Sequence, residues 1–399
     1  MKFRNHVLAL VGVAAFIVCV LACRPAFSPD GKKVVFPVFD PESKQATVML
    51  YDRETRRLER LFTRPSQSDD FLLASAIWTP DGKHVVIATT EEMGFKATAN
   101  SSKQLIPVES KDPFMVAVIP LDRKEPIRFL HVPENPGLQG LIQPPPIVGK
   151  HLFLGGASRM SRLDLETGEI KTETLTQLPG DKEDGILIFG GGERLYYIRV
   201  HEETSEIGTL DPVTLGTRAI IELRKSEAGR CNVFPAVSKD GSRIAVEVGD
   251  EKGQTKIRIY HESILERTLE VGTSDEPIRL GNLLWSSDEQ FIYAAQFKNL
   301  GEGKTECGLY EIPINGGKPR STALCVTKEN GTAPVVFQIA LSPDGKCVAA
   351  SGGFSSGNTT EEENRALYLV DLRRAKRPVT KIPAIASKPV KSGTGIPKR

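Results

Sequence analysis

The sequence predicts an all-β protein: a seven-bladed β-propeller of four-stranded antiparallel blades, preceded by a hydrophobic N-terminal helix. Three observations carry this reading. A Ser/Thr-x-Asp-Gly turn, with Pro most often at its second position, recurs between short apolar runs along most of the 399 residues. A second strand–turn–strand element follows each recurrence. No helical period of useful length appears beyond the N-terminal leader.

The leader comes first. Lys2 and Arg4 precede an uncharged run from Val7 to Ala22. As a helix that run is about 24 Å long, shorter than a bilayer core. A basic start, a short apolar run and a small residue at its end read as an export signal. Val20-Leu21-Ala22-Cys23 resembles the bacterial lipobox, in which the cysteine is lipidated and becomes the new N-terminus. Residues 1–23 are therefore expected to be a lipoprotein signal peptide or a membrane anchor, with ordinary cleavage as the remaining alternative.

The repeat begins at once. "FSPDGKKVVF" (27–36) is followed by "WTPDGKHVVI" (78–87), "VSKDGSRIAV" (237–246), "WSSDEQFIYA" (285–294) and "LSPDGKCVAA" (341–350). The chemistry fits a tight hairpin. Proline presets φ, the Asp or Ser side chain bonds the local backbone, and glycine takes positive φ at the close. Asp30 and Gly31, Asp81 and Gly82, Asp240 and Gly241, and Asp344 and Gly345 are the best-preserved pairs, and Asp288 stands in the same place. Two further segments, 146–156 and 187–198, have strands around a worn turn. The second elements are 48–62, 115–130, 161–175, 207–220, 257–271, 308–324 and 366–382. Turn signals such as "ETG" and "NGG" sit near the middle of several. The unit therefore occurs seven times between residues 24 and 383, at roughly 50 residues each, the signature of a propeller. Residues 384–399, "AIASKPVKSGTGIPKR", read as a flexible basic tail.

"SPDGK" before an apolar strand, with "LYD" or "LYLVDL" after it, resembles the TolB-type propeller repeat, which is WD-like. The resemblance covers almost the whole chain after the leader and implies the propeller fold. TolB itself carries a separate α/β domain and a six-bladed propeller; here seven units are expected, with no such domain before them. Propellers of this repeat also precede the hydrolase domain of prolyl-oligopeptidase-like enzymes, and none is expected after Pro383.

Composition narrows the function classes. Hydrophobic residues make up 40% and charged residues 26%, ordinary for a chain with a real core. The 52 basic and 50 acidic residues give a net charge of +2, without the concentrated basic footprint that nucleic acid requires. Gly353-Phe354-Ser355-Ser356-Gly357 matches G-x-S-x-G but lies in a Gly/Ser/Asn-rich loop with no helix pattern after it, so it reads as loop. His84, His131, His151, His201 and His261 fall in different units, with no two at ligand spacing, and no metal or cofactor is expected. The repeated turn aspartates read as backbone caps rather than catalysts. Trp78 and Trp285, placed like Phe27, read as inter-blade core.

Two features remain. Counting outward in the sixth unit from Ile314 facing Lys318 places Cys307 opposite Cys325, where export would permit a disulfide. Two connections, Thr89–Pro113 and Ser351–Arg365, are unusually long, and in a closed ring both flank Cys23. Phe95, Lys96, Phe354 and Asn358 are binding-surface candidates there, beside the bland reading of polar insertions. The expected function is a non-enzymatic, lipid-anchored, monomeric scaffold of the bacterial cell envelope. It would face the periplasm or exterior and meet an envelope protein or a peptidoglycan-associated partner. The alternative is a propeller enzyme, hydrolase or lactonase-like, or a sugar or ligand sensor, with its site in the central channel.

Overall fold

The computed structural model describes residues 24–40, 45–65, 73–89, 114–132, 144–156, 159–174, 185–191, 194–200, 204–224, 230–231, 235–249, 255–271, 278–301, 304–328, 337–352, 366–374 and 376–383. The leader, Cys23 and the tail lie outside these. Among the described residues every element is a strand.

Seven sheets follow one another along the chain, each built from consecutive strands. The first holds β1 (Ala26–Phe27), β2 (Lys33–Asp40), β3 (Gln45–Asp52) and β4 (Arg57–Pro65). The second holds β5 (Leu73–Trp78), β6 (His84–Thr89), β7 (Phe114–Pro120) and β8 (Arg128–Val132). The third holds β9 (Ile147–Val148), β10 (His151–Gly155), β11 (Arg159–Asp164) and β12 (Ile170–Thr174). The fourth holds β13 (Gly185–Gly191), β14 (Arg194–Val200), β15 (Thr204–Leu210) and β16 (Thr217–Arg224). The fifth holds β17 (Arg230–Cys231), β18 (Ala236–Val237), β19 (Arg243–Gly249), β20 (Thr255–His261) and β21 (Ile264–Glu270); β17 and β18 both pair β19. The sixth holds β22 (Arg279–Trp285), β23 (Phe291–Gly301), β24 (Lys304–Pro313) and β25 (Arg320–Lys328). The seventh holds β26 (Phe337–Leu341), β27 (Cys347–Gly352), β28 (Ala366–Asp371) and β29 (Val379–Pro383).

The recurring turn joins the innermost two strands of a blade. In the first blade Gly31 N–H donates to the Ser28 carbonyl at 2.8 Å, and Gly31 sits at φ +71°. The Ser28 hydroxyl donates to Asp30 Oδ1 at 2.6 Å and accepts from Lys33 N–H at 2.9 Å, while Asp30 Oδ1 accepts from Lys32 N–H at 3.0 Å. Thr79 and Asp81, Ser238 and Asp240, Ser286 and Asp288, and Ser342 and Asp344 repeat the arrangement. The small hydroxyl residue ahead of the turn is thus as necessary as the Asp. It satisfies the donor that a tight reversal leaves unpaired.

All these turns lie on one face of the ring, with the hairpins between third and fourth strands. We call it the turn face. The ends of second and fourth strands, and the starts of first and third strands, lie on the opposite face. The turns nest. Gly82 packs against Pro29 of the preceding blade, and Gly31 against Pro343 of the seventh, so the ring closes between the two ends of the repeat.

Blades pack face to face through apolar layers. One cluster joins blades one and two around Val35, Ile87 and Trp78. Another joins seven and one through Phe27, Phe36, Ala349 and Leu367. Polar latches cross the same seams. The Trp78 indole N–H donates to Ala26 O, and that of Trp285 to Ala236 O, each at 3.0 Å. Asn282 donates to Ile339 O at 2.8 Å and accepts from Ile339 N–H at 2.9 Å, joining blades six and seven in the manner of a strand edge. The Arg377–Glu311 pair, 2.6 Å apart and largely buried, ties the same two blades further out.

The outermost strands hold a feature that alternation does not reveal. Register shifts interrupt the third-to-fourth-strand ladders of blades one, four, five and six, each placing one extra residue on the outer strand. Such bulges bend and twist an edge strand, blunting it against pairing with other chains.

Two outcomes are expected. The five turn carboxylates are held below the usual range, first of all by the neighbouring hydroxyl, and Asp240 reaches about 2. Depressed folded-state values stabilise the fold fully above the unfolded value of about 3.9, and that contribution disappears as pH falls through the folded values. Asp344→Asn should lower the urea midpoint at pH 7, and its difference from the native chain should narrow between pH 4 and about 2. Glu289 occupies the glycine position of the sixth turn at φ +56°. A left-handed non-glycine residue costs roughly 1 kcal/mol, so Glu289→Gly should raise unfolding free energy by about that much in urea titration.

Candidate functional site

The innermost strands converge on a central channel of about 550 Å³. Each blade contributes wall: Ala26, Ile77, Pro145, Phe189, Val237, Leu284 and Leu341 in turn. A first strand is bonded only on its outer side, so its inner edge faces the channel. Pro25, Pro144, Pro145, Pro146 and Pro235 line that edge and bring no N–H to it. The result is a wall more apolar than polar.

Its described lining holds two charged side chains, both cationic. Arg24 stands two residues before β1, toward the face from which the first strand starts, and is only partly exposed. Loss of water lowers its guanidinium to about 10, and among the described residues no carboxylate counteracts that effect. Lys239 lies at the opposite end, in the β18–β19 turn, and is exposed. It occupies the turn position that Pro343 and Ser287 fill in the other turns lining the channel. Neither residue was singled out by sequence reasoning. "SKDG" in place of "SPDG" was a signal for Lys239; nothing local marked Arg24.

The sequence candidates distribute differently. The turn aspartates point into their own turns, and their hydrogen bonds are those of capping. Phe95, Lys96, Phe354 and Asn358 lie outside the described residues, as does Cys23. His84 and His151 sit on second strands beside Glu125 (3.8 Å) and Asp164 (3.7 Å); His131 and His261 are exposed. Among the described residues no three His, Cys, Asp or Glu side chains cluster.

Cys307 and Cys325 are opposed in the β24–β25 ladder, but by a route other than simple counting. Nearer the turn the register differs by one, Glu311 facing Arg320, and the bulge between Cys307 and Gly308 restores the alignment. The structure carries both residues as thiols, in the opposed positions that the expected disulfide requires. Cys307 is fully buried in the layer shared with blade seven, whereas Cys325 only borders it. Burial pushes the Cys347 thiol up to about 11, leaving it an inert core group.

No family model matches the chain, and no curated protein does. Many solved structures share its architecture. KlAtg21, solved in complex with the coiled coil of AgAtg16, matches 91% of this chain and 98% of its own at TM-score 0.53 and 13% identity. A prolyl endopeptidase matches 83% of this chain at TM-score 0.50 and 15% identity, and the chain spans 47% of it. TolB from Acinetobacter baumannii matches 89% of this chain at TM-score 0.44 and 12% identity, with 64% of TolB covered. Such identities establish the propeller fold, and the TolB type is not distinguished from other propellers.

Proposed function

We propose that this propeller is a non-enzymatic interaction scaffold, tethered to a bacterial envelope membrane at Cys23 and presenting its turn face to a protein partner. One observation carries the reading: rigid hairpin tips of adjacent blades four and five hold large apolar side chains in solvent. Val213 is 68% exposed, Ile264 70% and Leu265 47%. Single exposed hydrophobics are common on soluble proteins, but these stand on fixed backbone.

The rigidity is local chemistry. Asp211 Oδ1 accepts from Val213 N–H at 2.9 Å and Thr214 N–H at 2.7 Å, shaping the β15–β16 tip. Arg162, reaching from β11 of the third blade, donates to the carbonyls of Pro212 and Val213. On the fifth blade Glu262 takes φ +53° in the two-residue β20–β21 turn, and Arg267 donates to Ile314 O of the sixth. Little side-chain or loop entropy remains to be lost when a partner covers these tips. The tether supports the same orientation. With lipid on Cys23 and Arg24 already in the channel, the linker is too short to lift the ring away, so the turn face points from the membrane.

In native cells the chain should incorporate labelled palmitate and sediment with membranes, and Cys23→Ser should abolish both. Crosslinking on intact membranes should capture a protein that the Val213→Asp/Ile264→Asp chain does not capture at an unchanged melting temperature. An identical crosslinked profile from that double variant would rule out the turn face as the docking surface.

A further inference from the structure

The scaffold reading makes no use of the channel. We propose that the channel is a binding site for a small organic anion, its carboxylate held by Arg24 and its apolar body lying along the proline-rich wall.

Arg24 is a charge inside a protein-lined cavity with no counter-charge among the described residues. Its guanidinium presents a planar fork of donors, the geometry that meets a carboxylate bidentately. Among the described lining residues no Asp or Glu competes for it. A carboxylate would pair with the partly desolvated guanidinium in a medium less polarisable than bulk solvent. The wall fits the rest of such a ligand. Pro145, Ile77, Leu284 and Leu341 offer apolar surface from four different blades, and a cavity of about 550 Å³ lies within the range of small-molecule sites. Lys239 places a second cation in the lining, at the turn-face end. A neutral ligand would gain the apolar wall and leave the guanidinium unpaired. Specificity for anions over their neutral isosteres therefore follows from the site itself.

The test compares 4-phenylbutyrate with 4-phenylbutyramide, which share shape and differ in charge, by calorimetric titration of the full chain. The acid should bind at least tenfold tighter than the amide and raise the melting temperature. Arg24→Gln should remove that preference without lowering thermal stability, because it deletes an unpaired charge. Arg24→Lys should keep part of the preference, and Lys83→Gln, on an exposed rim turn outside the channel, should leave it intact. Equal binding of acid and amide by the native chain, or no binding of the acid, overturns the proposal whatever the variants do. So does a preference that survives Arg24→Gln. None of these outcomes bears on the turn-face partner, whose test uses different residues.

Discussion

Seven sheets that, among the described residues, share no strand ladder must be held in a ring mainly by side chains. That constraint governs the rest of the structure. With no described strand borrowed from a neighbour, a seam needs an apolar layer and polar groups that find partners across it. Trp78 and Trp285 meet both needs at once, filling the layer with an aromatic ring and closing on the carbonyl of the previous inner strand. Asn282 does the same work at the seam of blades six and seven, where a register shift in β22 gives it access to Ile339. The nested turns complete the ring at its narrowest radius, and Gly31 against Pro343 joins its two ends.

The inner turns and outer bulges solve opposite problems at the two edges of a blade. At the centre, strands crowd, so the reversal must be tight and its donors satisfied internally; the hydroxyl–Asp pair does this in five blades, closed by glycine in four and by Glu289 in the sixth. At the periphery, strands have space and an unpaired edge. Four outer strands take an extra residue there, which curves them and makes them poor templates for another chain. In the sixth blade the same extra residue brings Cys307 and Cys325 opposite each other.

A ring of this kind separates functions by geometry. Its rigid hairpin tips face one way, its N-terminus leaves the other, and its channel runs between them with a cation at each end. A scaffold surface and a small-ligand channel can share one fold without sharing residues, because neither draws on the turn carboxylates or the seam latches. Those groups are occupied in holding the ring.

Much of the fold was legible in the sequence because it rests on local rules. Turn chemistry marked five blades outright, strand alternation supplied the worn turns of blades three and four, and the repeated tryptophan pointed to a blade seam. The sequence by itself therefore determined the blade count, the order of strands and the capping role of the repeated aspartates. The candidate site was hardly legible. The loops that drew attention by their length, with Phe95, Lys96, Phe354 and Asn358, lie outside the described residues. Arg24 and Lys239 are more than two hundred positions apart and become neighbours of one cavity only when the ring closes. Bulge positions were equally hidden, since a register shift depends on how an outer strand meets its neighbours rather than on its own pattern. The tertiary structure alone decided which charges share the channel, because that depends on blades brought together by closure.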